Sequence, residues 1–264
     1  MCDYKKIGGI KMRLTRITKM YLAFGVTLLL NALATIIPIN GLTTGEISNQ
    51  FTVYFTPAGY VFSIWGIIYL ALFLWLLSFS LKRQVLTTNL YWGFLISSLA
   101  NSLWILFWQY RFPGVSILVI ILLLVSLLWL YRSQLETGSS WIYLLPISIY
   151  LGWVSVATLA NMSYWLVAIV GIHPFFQGIV TLIFLSLTVV IGFGALHYLR
   201  NWAIVGVYLW ALYGIFIHNL AINWFIAIVA LALTILLAVV TIGYMIEALK
   251  KRPKESSKKE KRVL

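Results

Sequence analysis

Long apolar runs separated by short polar stretches set the pattern of this chain. Windows of about twenty residues predict eight hydrophobic spans, at 20–39, 60–81, 90–109, 115–131, 141–164, 178–199, 202–218 and 223–248. Most are built from Leu, Ile and Val, as solubility in lipid demands. The fifth differs. Its run WIYLLPISIYLGWVSVATLANMSYW, Trp141 to Trp165, carries no charge yet spends positions on Trp, Ser, Thr and Asn, which lipid alone does not reward. Trp153, Ala157, Asn161 and Trp165 recur every four residues and so share one slowly winding helix face. A large ring, a small gap and an amide on one face suit a pocket wall.

The third span, LYWGFLISSLANSLWILFWQ, repeats the mixture. Asn101, Trp104 and Trp108 stand at i, i+3 and i+7, while Ser97, Ser98 and Ala100 allow a neighbouring helix to approach. An amide in hydrocarbon needs a partner, so Asn101 and Asn161 either satisfy each other or nearby backbone as interhelical glue, or serve a ligand. The tryptophans divide in the same way. Trp92, Trp129, Trp141 and Trp202 fall at one set of span ends and Trp108, Trp165 and Trp224 at the other, where amphipathic rings form interfacial belts. Trp65, Trp104, Trp153 and Trp210 lie deeper. The first three share spans with polar residues, where they either pack or line a cavity.

Composition turns these spans into a fold class. With 62% hydrophobic and 9% charged residues among 264 and a mean hydropathy of +0.98, the chain reads as an all-α, polytopic integral membrane bundle of about eight transmembrane helices. Charge supplies the orientation. Lys5, Lys6, Lys11, Arg13, Arg16 and Lys19 precede the first span, Lys82 and Arg83 follow the second, Arg132 the fourth and Arg200 the sixth, and eight more Lys/Arg run from Lys250 to Arg262. Eighteen of the 19 basic residues thus share one face, with Arg111 on the other, and the positive-inside bias predicts a multi-pass cell-membrane protein with both termini cytoplasmic. The net charge of +13 then reports topology, and nucleic acid is not an expected partner. The Lys-rich tail is a solvated stop signal or a contact for anionic lipid headgroups. The first apolar stretch is longer than a signal-peptide core and is expected to stay as an anchor. Cys2, the single cysteine, excludes an intrachain disulfide and a metal site built on several thiolates.

The longest external connection is NGLTTGEISNQFTVYFTPAGY. A loop of about twenty residues is unusual beside short links and is suited to fold over the helix ends as a lid. It runs into Thr56-Pro57-Ala58-Gly59, where Pro57 sets the start of the second helix.

Chemistry in the membrane usually requires convergent acids, histidines or a metal, yet all six acidic residues are expected in tails or loops. His197 and His218 fall at opposite membrane faces. His173 and His218 are both external, but two imidazoles without carboxylate or thiolate support make a weak metal site. No Asp, Glu or Lys sits mid-span, which argues against ion-coupled transport and against a retinal Schiff base. Uncoupled passage of a lipophilic molecule stays open.

Three stretches carry a family resemblance. LPISIYLGWVSVATLANMSYW resembles the fifth helix of the TspO/translocator-protein family, the tryptophan-rich sensory proteins, with its approximate pattern P-Y-x-A-W-x-x-[FV]-A-T-x-x-N-x-x-x-W. FTPAGYVFSIWGIIY is similar to that family's approach to its second helix, F-x-P-P-x-W-x-F-x-x-x-W-x-x-L-Y, and NSLWILFWQYRFPG to its third-helix region N-x-x-W-x-x-x-F-F-G. Order and spacing agree across 20–165. The chain departs where Ala58 replaces a proline, Tyr60 replaces a tryptophan, and Ile105-Leu106 follow Trp104 in place of Ser-Pro.

Charge and hydropathy mark a basic tail at 1–19, three additional transmembrane helices at 166–248 and a basic tail at 249–264, and for 20–165 the resemblance implies a five-helix TspO-like bundle. It further implies a hydrophobic pocket under the first external loop for tetrapyrroles, protoporphyrin IX or haem, or other flat lipophilic ligands. Its candidate residues here are Trp65, Asn101, Trp104, Phe107, Trp153, Ala157 and Asn161. A porphyrin is an aromatic disc with carboxylate edges, which suits indole stacking and a few amide donors. Arg111 either meets a propionate or serves as an interfacial anchor. A sensory or binding role is implied, with uncoupled transport or porphyrin degradation as alternatives. Gly192, Gly194 and Ala195 give the sixth span a small face for tight packing, and the last three helices either seal the five-helix unit or replace a homodimer contact.

Overall fold

The computed structural model describes residues 2–250, with side chains over 12–248. Apart from Leu249 and Lys250, the basic tail expected at 249–264 lies outside the described residues. Nine α-helices are formed among them: α1 Cys2–Thr35, α2 Thr44–Ser48, α3 Ile64–Ser80, α4 Thr88–Gln109, α5 Pro113–Glu136, α6 Trp141–Trp165, α7 Pro174–His197, α8 Trp202–Asn219 and α9 Trp224–Lys250. A 3₁₀ turn, Gly59–Ser63, leads into α3, and a π turn, Leu166–Val170, extends α6. No strand is present among the described residues, and eight helices are long and apolar enough to cross a membrane. The chain is a polytopic helical membrane protein.

Local chemistry sets the helix limits. The basic segment before the first span is helical and continuous with it, and no proline interrupts the run from Cys2 to Thr35. α1 stops where Ile37 precedes Pro38, a position biased away from helical backbone. Pro113 and Pro174 occupy first-turn positions of α5 and α7, where the missing N–H costs nothing. The fourth span is longer than its apolar core suggests, reaching Glu136 rather than residue 131. The reason lies in Gln134, which is buried, accepts from Trp75 Nε1 at 2.9 Å and donates to Gln84 Oε1 at 3.0 Å. The acids also differ from expectation: Glu46 lies in α2, Glu136 closes α5 and Glu247 sits on the last turns of α9.

α4 and α6 form the centre. Each buries 61% of its most apolar window, against 22% for α9 at the periphery. α4 packs on α1 and α5, and α6 contacts α3, α5 and α8. Small residues bring the backbones together: a Cβ on Gly93 would meet Leu130 Cα at 3.4 Å, and one on Gly152 would meet Ile204 Cα at 3.4 Å. Asn201, the α8 N-cap, accepts from Ala203 N and Ile204 N and donates to Tyr131 OH and Ser148 Oγ, tying α8 to α5 and α6 at once.

Helices α7 and α8 also grip the chain entering α3. Gln177 on α7 donates to Thr52 O at 3.0 Å and accepts from Tyr54 N at 3.1 Å. On α8, Asn219 Nδ2 donates to Tyr54 O at 2.7 Å, His218 Nε2 donates to Val53 O at 3.2 Å and Trp210 Nε1 donates to Val61 O at 3.2 Å. Ala58 N–H donates to Gly214 O at 3.0 Å. Tyr60 meets Trp210 edge to face at 5.2 Å. Backbone groups in residues 52–61 that would otherwise lack partners in an apolar setting are satisfied this way.

Gly214 permits the approach, since a Cβ there would overlap Val61 Cγ2 and lie 3.2 Å from Pro57 Cβ. Gly214→Ala should lower stability by about 1–3 kcal/mol through overpacking. Gly206→Ala, where a Cβ meets open space, should be neutral or stabilise by up to about 1 kcal/mol. Thermal unfolding in detergent compares the two, and equal effects would mean that the 52–61 segment does not press on α8.

Candidate functional site

A cavity opens under α2, between α3, α4 and α6. Its walls are Trp65 from α3, Trp104 and Trp108 from α4, and Trp153, Val156, Ala157, Ala160 and Asn161 from α6. Thr44 and Ser48 of α2 roof it, and Pro57 and Phe62 close the side. Three of the four indoles meet one another: Trp65 stacks on Trp104 with centroids 5.6 Å apart and stands perpendicular to Trp153 at 6.2 Å, while Phe62 meets Trp153 edge to face at 5.9 Å and Trp108 packs on Tyr164 at 4.9 Å. The free volume is about 30 Å³, room for about a water molecule and far below the several hundred cubic ångströms of a typical ligand pocket. The rings fill the space they enclose.

Polar groups in the wall are unevenly satisfied. Asn161 Oδ1 accepts from Trp104 Nε1 at 3.2 Å and from Ser116 Oγ at 2.9 Å, and its Nδ2 donates to Ala157 O at 2.9 Å. Trp153 Nε1 is buried with no hydrogen-bond partner, so an acceptor entering the cavity would relieve a desolvated donor.

Of the seven residues singled out from the sequence, Trp65, Trp104, Trp153, Ala157 and Asn161 come together around this cavity. Asn101 and Phe107 do not line it. Asn101 is fully buried, accepts from Asn31 Nδ2 at 2.8 Å and donates to Tyr150 OH at 2.7 Å, a bolt between α1, α4 and α6. The two amides on α4 and α6 therefore have separate partners and do not bond each other. Phe107 turns away and meets Phe112 edge to face at 6.5 Å. Arg111 is exposed in left-handed backbone, φ 61°, just past α4. His173 caps α7, accepting from Phe175 N at 3.2 Å.

Two site residues escape a sequence reading. Trp108 has the position of a belt residue, yet it is 5% exposed, lines the cavity and donates to Thr44 O at 3.3 Å. Trp210 is the reverse, 38% exposed at a depth that suggested burial. Gln109 is the second omission. It is fully buried at the end of α4, donates to Leu42 O at 2.8 Å and Ala34 O at 3.3 Å, and accepts from Thr44 Oγ1 at 3.4 Å. Asn40 Nδ2 adds a bond to Gln109 O at 3.1 Å. These contacts hold the α1–α3 connection down over the cavity, helped by Ile47 and Val53 packing with Trp108 and Tyr164. α2 itself is stabilised by a capping box in which Thr43 N–H donates to Glu46 at 2.7 Å and Thr43 Oγ1 accepts from Glu46 N at 3.2 Å. The Thr43 backbone bond holds the Glu46 carboxyl below its usual range.

Fold and site together define a membrane-embedded helical bundle with an internal aromatic cavity beneath the folded connection between α1 and α3. The chain belongs to the TSPO-like protein family, whose model matches residues 16–243. That match takes in α7, α8 and most of α9 along with the first six helices. No curated protein and no solved structure matches the chain.

Gln109→Ala removes one side chain that holds both edges of the lid. It should cost about 1–3 kcal/mol locally and raise amide hydrogen exchange across 40–50, while exchange in α8 stays unchanged. Unaltered exchange in the loop would place the latch elsewhere.

Proposed function

We propose that the cavity binds a flat lipophilic ligand of the tetrapyrrole type, protoporphyrin IX or haem, and that the protein acts as a membrane receptor or sensor for it. One observation carries the reading: four indoles converge on a space that also holds an unpartnered buried N–H, Trp153 Nε1. Interior packing would be served by Leu and Ile at lower cost. A cluster of rings is suited to exchange stacking among themselves for stacking on a planar ligand.

The small free volume makes an opening step part of the proposal. Trp65 is only partly buried and stacks on Trp104, so its rotation separates the two rings. Lifting α2 from Gln109 frees the roof. Residues 52–61 stay fixed on α7 and α8, and the moving part is 36–51. We place the protein in the cell membrane with both termini cytoplasmic, on the one-sided Lys/Arg distribution, so the lid faces outward and the ligand enters from outside or from the outer leaflet.

Trp153→Ala should weaken protoporphyrin binding by about 1–3 kcal/mol, followed by tryptophan quenching in detergent. Trp202→Ala, at the start of α8 and away from the cavity, should leave it unchanged. Equal small losses in both folded variants would mean partitioning into the micelle. For orientation, reporter fusions at Leu264 and after Arg132 should read cytoplasm and one near Gly45 the outside, and an external reading at Leu264 would remove the proposed topology.

A further inference from the structure

A second recess lies at the opposite end of the bundle, between the start of the first span and the α3–α4 turn. It is about 360 Å³ in volume and is lined by Arg13, Arg16, Lys82 and Gln84, with Met12 and Val85 at its rim. Two of the three cations are held in place. Arg13 Nη2 donates to Phe79 O at 2.9 Å and to Gln84 O at 3.4 Å, tying it to the last turn of α3 and to the α3–α4 turn. Arg16 Nη1 donates to Thr88 Oγ1 at 3.2 Å, and the guanidinium lies 5.3 Å from the Tyr91 ring centre. Each guanidinium carries five N–H donors, so these bonds fix the planes and leave donors over. Lys82 stands in left-handed backbone, φ 56°, where glycine or asparagine is the less strained choice. No acidic residue occurs between Asp3 and Glu46 or between Glu46 and Glu136, so neither lining segment supplies a carboxylate.

We infer that this recess binds a phosphoryl anion, with Arg13, Arg16 and Lys82 as its ligands. Guanidinium forks match phosphate oxygens, and an ammonium adds a point charge. Val85 is 75% exposed and Met12 57%, so the rim offers apolar surface at the edge of the membrane span, which suits acyl chains hanging from an anionic lipid headgroup. A positive-inside surface requires cations on this face but does not require them to be bonded in place around one hollow.

The test uses the full chain in detergent. Binding of dioctanoyl phosphatidate is read from the rise in melting temperature on titration, beside dioctanoyl phosphatidylcholine and inorganic phosphate. Phosphatidate should stabilise and phosphatidylcholine should not. Lys82→Asn keeps a residue suited to left-handed backbone and should weaken phosphatidate about fivefold, and Arg13→Gln with Lys82→Asn by more than tenfold. Arg132→Gln with Lys250→Gln removes equal charge from the same face and should leave binding intact. Inorganic phosphate that binds with the same dependence on Lys82 would assign the site to a soluble phosphoryl compound, whereas stabilisation by phosphatidate alone assigns it to lipid. Equal weakening in both double variants, or no preference for phosphatidate and no phosphate binding, would overturn the site.

Discussion

An amide in hydrocarbon must find its partner inside the protein, and that requirement organises this molecule. At four places a buried Asn or Gln ties neighbouring elements together: Asn31 with Asn101, Asn161 with Trp104 and Ser116, Asn201 with Tyr131 and Ser148, Gln134 with Trp75 and Gln84. Lipid offers no hydrophobic drive between apolar helices, so each such bond contributes specificity out of proportion to its modest net strength. Small residues then set how closely the bolted helices approach. The aromatic cavity exists because α3, α4 and α6 are held at distances that rings fill and aliphatic chains do not need.

The same requirement divides the α1–α3 connection into two parts. Residues 52–61 are bonded to two helices by several side chains, whereas residues 40–44 depend chiefly on Gln109. A segment with one principal anchor opens at lower free energy than one with many. The roof over the indoles thus belongs to the less firmly held part of the structure, beside walls that belong to the most firmly held.

Much of this was legible in the sequence because the membrane simplifies the problem. Apolar runs of about twenty residues have one solution, and all eight spans are present, although the first begins at Met12 rather than 20 and the fifth runs on to Val170 rather than 164. The stripe Trp153, Ala157, Asn161 was readable because a four-residue repeat fixes a helix face, although its last member, Trp165, is not part of the cavity wall. What was not legible depends on tertiary partners. Trp108 sits at a span end and reads as an interfacial ring until the lid folds over it. Gln109 looks like a helix end reaching water. Gln134 lies in the extra turn of α5, buried because Trp75, fifty-nine residues earlier, and Gln84 meet it there.

The bond from Ala58 N–H to Gly214 O gives two local departures from the TspO pattern a common cause. A proline at position 58 would carry no donor, so a chain with the paired prolines could not be fastened to α8 at that point. Tyr60, in place of tryptophan, lies against Trp210 of the same helix. Residues 58 and 60 are therefore coupled physically to α8: a proline at position 58 would remove the donor and release this point of the segment from Gly214. A short stretch at the mouth of one helix is thus fastened to a helix about 150 residues downstream.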